Sequence, residues 1–274
     1  MNSVCVINAS IPYFRDDSAG TREEGASEFI ELLNTSIEQG AAVLDLGAVA
    51  SGTPVGGSIE RLARILSDMR DIYPEAIFQA TARSLAELNH LIEHCSALAP
   101  DVVSVPLSVF CGEDAVAILS SRDVQLKRLR SRLVLDLHDL SMLFRAVTMQ
   151  NDGLLDGPLR VNFCFGQEFG VPSDRHAFSF FVQTIRRLAP EATWSGIGRG
   201  RSELELARWS MDMGGHCRAT VVTGQNANGA QGERETATLS RVTQLCREYG
   251  RRPASFAEAR RVLLLDRATQ ISLA

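Results

Sequence analysis

Lysine is almost missing from this chain: Lys127 stands alone beside 27 arginines in 274 residues. Any mechanism built on a lysine Schiff base would have to rest on that one side chain. Lys127 lies in the run Lys127-Arg128-Leu129-Arg130-Ser131-Arg132, which reads as the solvated end of a helix, so the lysine route is disfavoured. An excess of positive charge is also lacking. A net charge of −5 argues against binding a phosphate backbone, so no nucleic-acid partner is expected. No apolar run approaches the ~20 residues of a membrane span, and no secretory apolar core opens the chain. The six cysteines (Cys5, Cys95, Cys111, Cys164, Cys217, Cys246) are scattered without a C-x-x-C pair. Several sit in apolar strand-like runs, where a free thiol behaves as a small hydrophobe. These absences together predict a reduced, cytoplasmic, soluble protein with no membrane partner.

What is present is an alternation. Strand-like apolar runs at 4–7, 42–46, 76–80, 102–105, 133–137, 159–165, 193–196 and 217–222 are each followed by a run of helical periodicity. The helical runs cover 26–39, 59–73, 85–97, 113–130, 140–150, 177–188, 202–213 and 236–249, with a further capped helix opening at Ser255. Ser255 and Glu258 have the spacing of a capping box. Eight strand–helix units in 274 residues predict an α/β fold, a single (β/α)8 TIM barrel spanning 1–274, rather than an open doubly wound sheet.

In such a barrel the reactive groups stand at the C-terminal ends of the strands. The polar residues there are Asn8 and Ser10, Asp45, Thr81 and Arg83, Ser104, Asp136 and His138, Asn162, Ser195 and Arg199, and His216 with Arg218. Asp136-Leu137-His138-Asp139 reads as a base with an orienting partner or as two metal ligands; the plainer alternative is a helix-capping Asp beside a rim His. Arg218 interrupts a strand-like run, and a charge held there must find an anion. His216 is expected to pack at the barrel bottom. In Trp194-Ser195-Gly196-Ile197-Gly198-Arg199 a strand breaks into a glycine turn before a helix, an arrangement that lets backbone N–H groups approach an anion. Together with Arg218 it predicts a floor for a carboxylate or phosphate, hence a small anionic substrate. The polar loop 224–232 reads equally as a lid over the site or as a surface loop.

Several stretches taken in order resemble the β-keto acid cleavage enzymes, the relatives of 3-keto-5-aminohexanoate cleavage enzyme. They are Cys5-Val6-Ile7-Asn8-Ala9, Gly40-Ala41-Ala42-Val43, Gly153-Leu154-Leu155-Asp156-Gly157-Pro158-Leu159, Trp194 to Arg199, Gly214-Gly215-His216-Cys217-Arg218, and Gly250 to Arg260. The resemblance implies a (β/α)8 barrel, a homo-oligomer, and acyl transfer between a β-keto acid and the CoA of acetyl-CoA at a zinc ion. It also implies that the zinc ligands are absent. The family's His-x-His pair falls on Asp45 and Gly47, its ligating Glu on Val222, a neighbouring catalytic acid on Thr223, and a strand-five Glu on Leu133.

The sequence therefore predicts a divergent family member that binds no metal and cleaves or transfers C–C bonds of a small β-keto acid, acyl-CoA thioester or related carboxylate. Acyl-CoA is the expected co-substrate. The catalytic candidates are Asp45, Asp136, His138 and Arg218, and the substrate-binding candidates are Asn8, Ser195, Gly198 and Arg199. The alternative is an inactive homologue that serves as a ligand-binding or scaffold protein.

Overall fold

The computed structural model describes residues 3–11, 24–48, 65–94, 99–110, 115–129, 131–155, 157–167, 170–221 and 237–265. Its strands are β1 (Val4–Cys5), β2 (Ile7–Ser10), β3 (Val43–Ala48), β4 (Ile77–Thr81), β5 (Val102–Pro106), β6 (Arg132–Leu137), β7 (Arg160–Cys164), β8 (Thr193–Ile197), β9 (His216–Thr220) and β10 (Arg252–Pro253). The helices between them are α1 (Glu24–Glu38), α2 (Leu85–His94), α3 (Ala115–Arg128), α4 (Leu140–Asn151), α5 (Arg175–Leu188), α6 (Glu203–Asp212), α7 (Ala237–Glu248) and α8 (Phe256–Val262); residues 65–72 are also helical. Strands β2 to β9 pair in chain order, all parallel, and β9 closes on β2, so the expected eight-stranded barrel forms.

One boundary differs from the sequence reading. The run 4–7 is not a single strand: Val4 and Cys5 pair with Arg252 and Pro253 in a separate two-stranded sheet, and the barrel strand begins at Ile7. Asn8 thus lies within the first barrel strand rather than closing it.

The period of two along each strand separates two cores. Ile7, Ala9, Leu44, Leu46, Phe78, Ala80, Val103, Val105, Leu135, Leu137 and Phe163 point outward and share one cluster with the helices. Residues of the opposite parity, Val6, Val43, Ile77, Val102 and Val134, fill the lower barrel and are covered by Ala254, Phe256 and Leu263. Helix α5 shows the sequence logic. Phe178, Phe181, Val182 and Ile185 recur at helical spacing and are buried, while Asp174 caps the helix by accepting the Ala177 N–H at 2.9 Å. Phe181 packs edge-on against Phe163, with ring centroids 5.5 Å apart. Each such buried aromatic contributes about 1.5–3 kcal/mol through the apolar surface it removes from water. The capping box expected at Ser255 and Glu258 forms at the start of α8.

Above the apolar lower layer, the inward positions turn polar: Asn8 and Ser10 on β2, Asp45 on β3, Gln79 on β4, Ser104 on β5, Asp136 on β6 and Asn162 on β7. Ser10, Asp45, Gln79, Ser104, Asp136 and Asn162 are all buried. A barrel interior lined this way must satisfy its polar atoms internally or with a ligand.

Candidate active site

Two side-chain clusters form at the mouth. The first is set by register around β2, where Ser10 lies level with Asp45 on one side and Asn8 lies level with Arg218 on the other. Arg218 therefore starts one step below Asp45 and reaches up across Ser10. Its Nη2 lies 3.0 Å from Asp45 Oδ2 and donates a close hydrogen bond to Ser10 Oγ. Asp45 is fully buried, and its Oδ1 accepts the N–H of Gly47 at 3.0 Å. Gly47 has φ of +80°, a backbone conformation that suits glycine and turns its N–H back onto the carboxylate. Asp45 Oδ2 makes an ion pair without a directed hydrogen bond. Arg218 keeps 24% of its side chain exposed, and both of its contacts run through one nitrogen.

The second cluster spans β5 to β7. Asp136 Oδ1 accepts hydrogen bonds from Ser104 Oγ and Asn162 Nδ2, each at 2.7 Å. Asp136 and Asn162 are paired in register, and Ser104 comes from the strand on the other side of Asp136. Cys164 is buried at the end of β7. Burial and then Asp136 push its thiol well above the usual range, while Arg218 and Arg199 act against them. Below both clusters, Asn8 donates to Gln79 Oε1 at 3.0 Å, leaving Asn8 Oδ1 and Gln79 Nε2 buried without hydrogen bonds. With Ser195, Asn162, Arg160 and His216 they line an internal cavity of the lower barrel.

The remaining candidates take other places. The half-buried His138 is not the partner of Asp136. Its ring Nδ1 makes no hydrogen bond, and its own N–H points at Met142 Sδ at 3.4 Å. Asp139 is the N-cap of α4, accepting the Met142 N–H at 2.8 Å. Burial alone would raise the Asp139 carboxyl, but hydrogen bonds from Ser141 and Met142 outweigh it and hold the group below its ordinary value. Gly198 directly follows β8. A Cβ there would lie 2.5 Å from the Ser202 carbonyl oxygen and 2.8 Å from the Glu203 nitrogen, so glycine lets the chain fold back onto the start of α6. Arg199 is exposed on that turn. Ser195 lies level with His216, deep on the cavity wall. His216 is buried there and accepts the Val6 N–H through Nδ1 at 3.2 Å; burial, and then Arg251, push its imidazole down to about 3. Leu133, the second residue of β6, lies in the outer core, and the carboxylate that this strand presents at the mouth is Asp136. The loop 224–232, Val222 and Thr223 lie outside the described residues.

Sequence reasoning missed two residues. Gln79 is the only amide in the strand Ile77–Thr81, and a lone polar group in an apolar run was the available signal. Glu203, the first residue of α6, looks in sequence like an ordinary acidic helix start, yet it is only 8% exposed. Its Oε1 accepts a close hydrogen bond from the Thr220 N–H at the end of β9.

Among the described residues, no group of three or more His, Cys, Asp or Glu side chains is placed to hold a metal ion, and none of the helices is long and apolar enough to cross a membrane. The chain matches the profile of the beta-keto acid cleavage enzyme family over residues 25–265. It is 33% identical to the 3-oxoadipate:acetyl-CoA acetyltransferase of Cupriavidus necator, covering 96% of this chain and 95% of that protein. It is 24% identical to the 3-keto-5-aminohexanoate cleavage enzyme of Fusobacterium nucleatum, covering 95% and 93%. Among solved structures, an HMG-CoA lyase from Acinetobacter baumannii superposes with a TM-score of 0.60 at 10% identity over 95% of this chain and 89% of that one. ObcA in complex with oxaloacetate gives 0.64 at 17% identity over 86% and 66%. These last two likenesses show the barrel alone. The family match, running from α1 to the end of the described C-terminal segment, shows that the chain belongs to the beta-keto acid cleavage enzymes.

Proposed function

We propose that this protein transfers an acyl group between a small β-keto acid and a CoA thioester, with Arg218 as the anchor for the acid and without the zinc ion that the family resemblance implies. The observation that carries the reading is the Asp45–Arg218 pair at the barrel mouth. The position of a family metal ligand holds a buried carboxylate whose two oxygens already face Arg218 and the Gly47 N–H. A zinc site needs about three protein ligands. At the other ligand positions of the family this chain carries Gly47 and Val222, neither of which offers a donor side chain. The donor set does not fit zinc.

The remaining groups divide the work. Arg218 offers Nε and Nη1 to the carboxylate or to the oxyanion that develops on the keto oxygen, the role a preorganised cation performs best. Asp136, held by Ser104 and Asn162, is the carboxylate placed to accept and return a proton at the carbon being cleaved. His138 stands at the rim of the same strand as a second proton acceptor. Asn8 and Gln79 offer unpaired polar atoms beneath the mouth for the far end of the acid. The relative's substrates suggest a 3-oxo dicarboxylic acid with acetyl-CoA as the partner. The free thiols Cys5 and Cys217, hydrogen-bonded at 3.7 Å and not joined in a disulfide, suit a cytoplasmic setting. Phe144 and Phe180, exposed on the neighbouring helices α4 and α5, suit a homo-oligomer.

The test is incubation of the full chain with acetyl-CoA and 3-oxoadipate, alongside other β-keto acids, with new acyl-CoA followed by mass spectrometry and zinc quantified in the same sample. Turnover at substoichiometric zinc is expected. Activity that rises and falls with a full equivalent of zinc would overturn the metal-free part. Absence of product with every acid would leave the binding or scaffold reading.

A further inference from the structure

Asp45 meets Arg218 across β2, and a second buried carboxylate, Glu203, accepts the N–H of Thr220, which lies level with Ser10, the residue that Arg218 bonds. Glu203 is tied to Thr220, two residues beyond Arg218 on β9, through the Thr220 N–H and the Thr220 side chain. The same turn demands glycine at 198, because the chain there packs against the backbone of Ser202 and Glu203 at the start of α6. Asp45 already balances the single positive charge of Arg218. A second anion arriving at the guanidinium would therefore stand beside an uncompensated Glu203 carboxylate in a largely dry site.

We propose that binding of a carboxylate ligand at Arg218 takes up one proton, and that Glu203 is the group that holds it. The inference rests on Arg218 being the carboxylate anchor, as argued above. Asp45 keeps both the Arg218 contact and the Gly47 N–H. Asp136 Oδ1 keeps its hydrogen bonds from Ser104 and Asn162. Burial already raises the Glu203 carboxyl, against the Thr220 hydrogen bonds and the attraction of Arg218. A ligand that occupies Arg218 weakens that attraction and adds a negative charge, and both effects raise the carboxyl further. The other charged groups nearby do not offset this. Arg199, Arg201, Glu205 and Arg208 are exposed, and on α7 Arg241 is paired with Glu248 while Arg247 lies exposed in the last turn. Glu203 is a positioning residue in this account, since it acts through Arg218 and the end of β9.

The sign follows from linkage. The complex binds more protons than the free protein above the free carboxyl's titration, so affinity falls as pH rises, by up to about tenfold per pH unit for one proton. The experiment is calorimetric titration of the full chain with adipate, a dicarboxylate that cannot be cleaved as a β-keto acid. It is run between about pH 5 and pH 8 in buffers of different ionisation enthalpy. Uptake approaching about one proton per adipate is expected in wild type. Glu203→Gln should bind adipate with no uptake and with an affinity flat in pH. Glu203→Asp, which restores a carboxyl on a shorter arm, should regain uptake at a shifted pH and guards against a Gln variant that fails to fold. Wild-type binding without proton uptake overturns the proposal, as does uptake that persists in Glu203→Gln. If adipate does not bind, or binds equally to Arg218→Ala, the anchor itself is wrong and the functional reading falls with it.

Discussion

Removing the Arg218 guanidinium tests the centre of this site more directly than any activity measurement. In Arg218→Ala the Asp45 carboxylate, with no exposed surface, would keep only the Gly47 N–H. Breaking a buried pair by deleting one partner costs about 3–5 kcal/mol, because the charge left behind is neither solvated nor paired. Arg218 keeps 24% of its side chain exposed, so water can enter the vacated space, and the lower end of that range applies. The converse change, Asp45→Asn, preserves an oxygen for Gly47 and leaves a cation that can turn to solvent or to Glu203. Its cost should be about 1–2 kcal/mol. If the two residues act as a pair, Asp45→Asn/Arg218→Ala should lose about 2–3 kcal/mol, well short of the sum of the single changes. Urea midpoints followed by circular dichroism measure this, and the Arg218→Ala variant should melt roughly 6–12 °C below wild type. Strictly additive losses, or an Arg218→Ala protein as stable as wild type, would refute the ion pair.

Two further outcomes follow from single residues. His216 stays neutral in the fold, with its imidazole pushed down to about 3, whereas in the unfolded chain it takes a proton near 6.5. The unfolded state then binds more protons between those values, so stability should fall as pH drops through that window, by up to about 1.4 kcal/mol per pH unit. His216→Gln should flatten that part of the urea-midpoint profile, and identical slopes would discount the residue. Gly198→Ala would press a methyl group against the backbone of Ser202 and Glu203, at 2.5 and 2.8 Å. Overpacking against backbone should cost about 1–3 kcal/mol, and an unchanged unfolding midpoint would show that the turn relaxes freely.

How much of this could be read beforehand divides along the range of the interactions involved. The barrel was legible because its signals are local: a period of two in the strands, a period of 3.6 in the helices, and Ser255 three residues from Glu258. The split of the run 4–7 was not legible. Val4 and Cys5 choose partners at 252 and 253, while Ile7 chooses Cys217, and no local pattern carries that choice. The site behaves the same way. Asp45, Asp136 and Arg218 stood out as charges at strand ends, but their partners are fixed by cross-strand register. Asp136 was read against His138, two residues away, whereas its hydrogen bonds come from Ser104 and Asn162 on the flanking strands. Glu203 escaped notice because its burial goes with a contact to Thr220, seventeen residues on, made where α6 packs against β9.

That distance dependence also bears on the family's zinc. Taken one at a time, Asp45 in place of a histidine, and Val222 and Thr223 in place of acids, look like three separate losses. Electrostatics makes them one change. A zinc ion would bring two positive charges to the site, and on the proposed metal-free reading the family's acid side chains would lose that compensation. With those positions uncharged, Arg218 has one carboxylate to balance at close range and a second, Glu203, held one contact away. On the proposed metal-free reading, the Arg218 guanidinium is the cation that the buried Asp45 carboxylate meets, and a substrate carboxylate at Arg218 would bring a proton with it. The Asp45–Arg218 pair would then also be what makes ligand binding sensitive to pH.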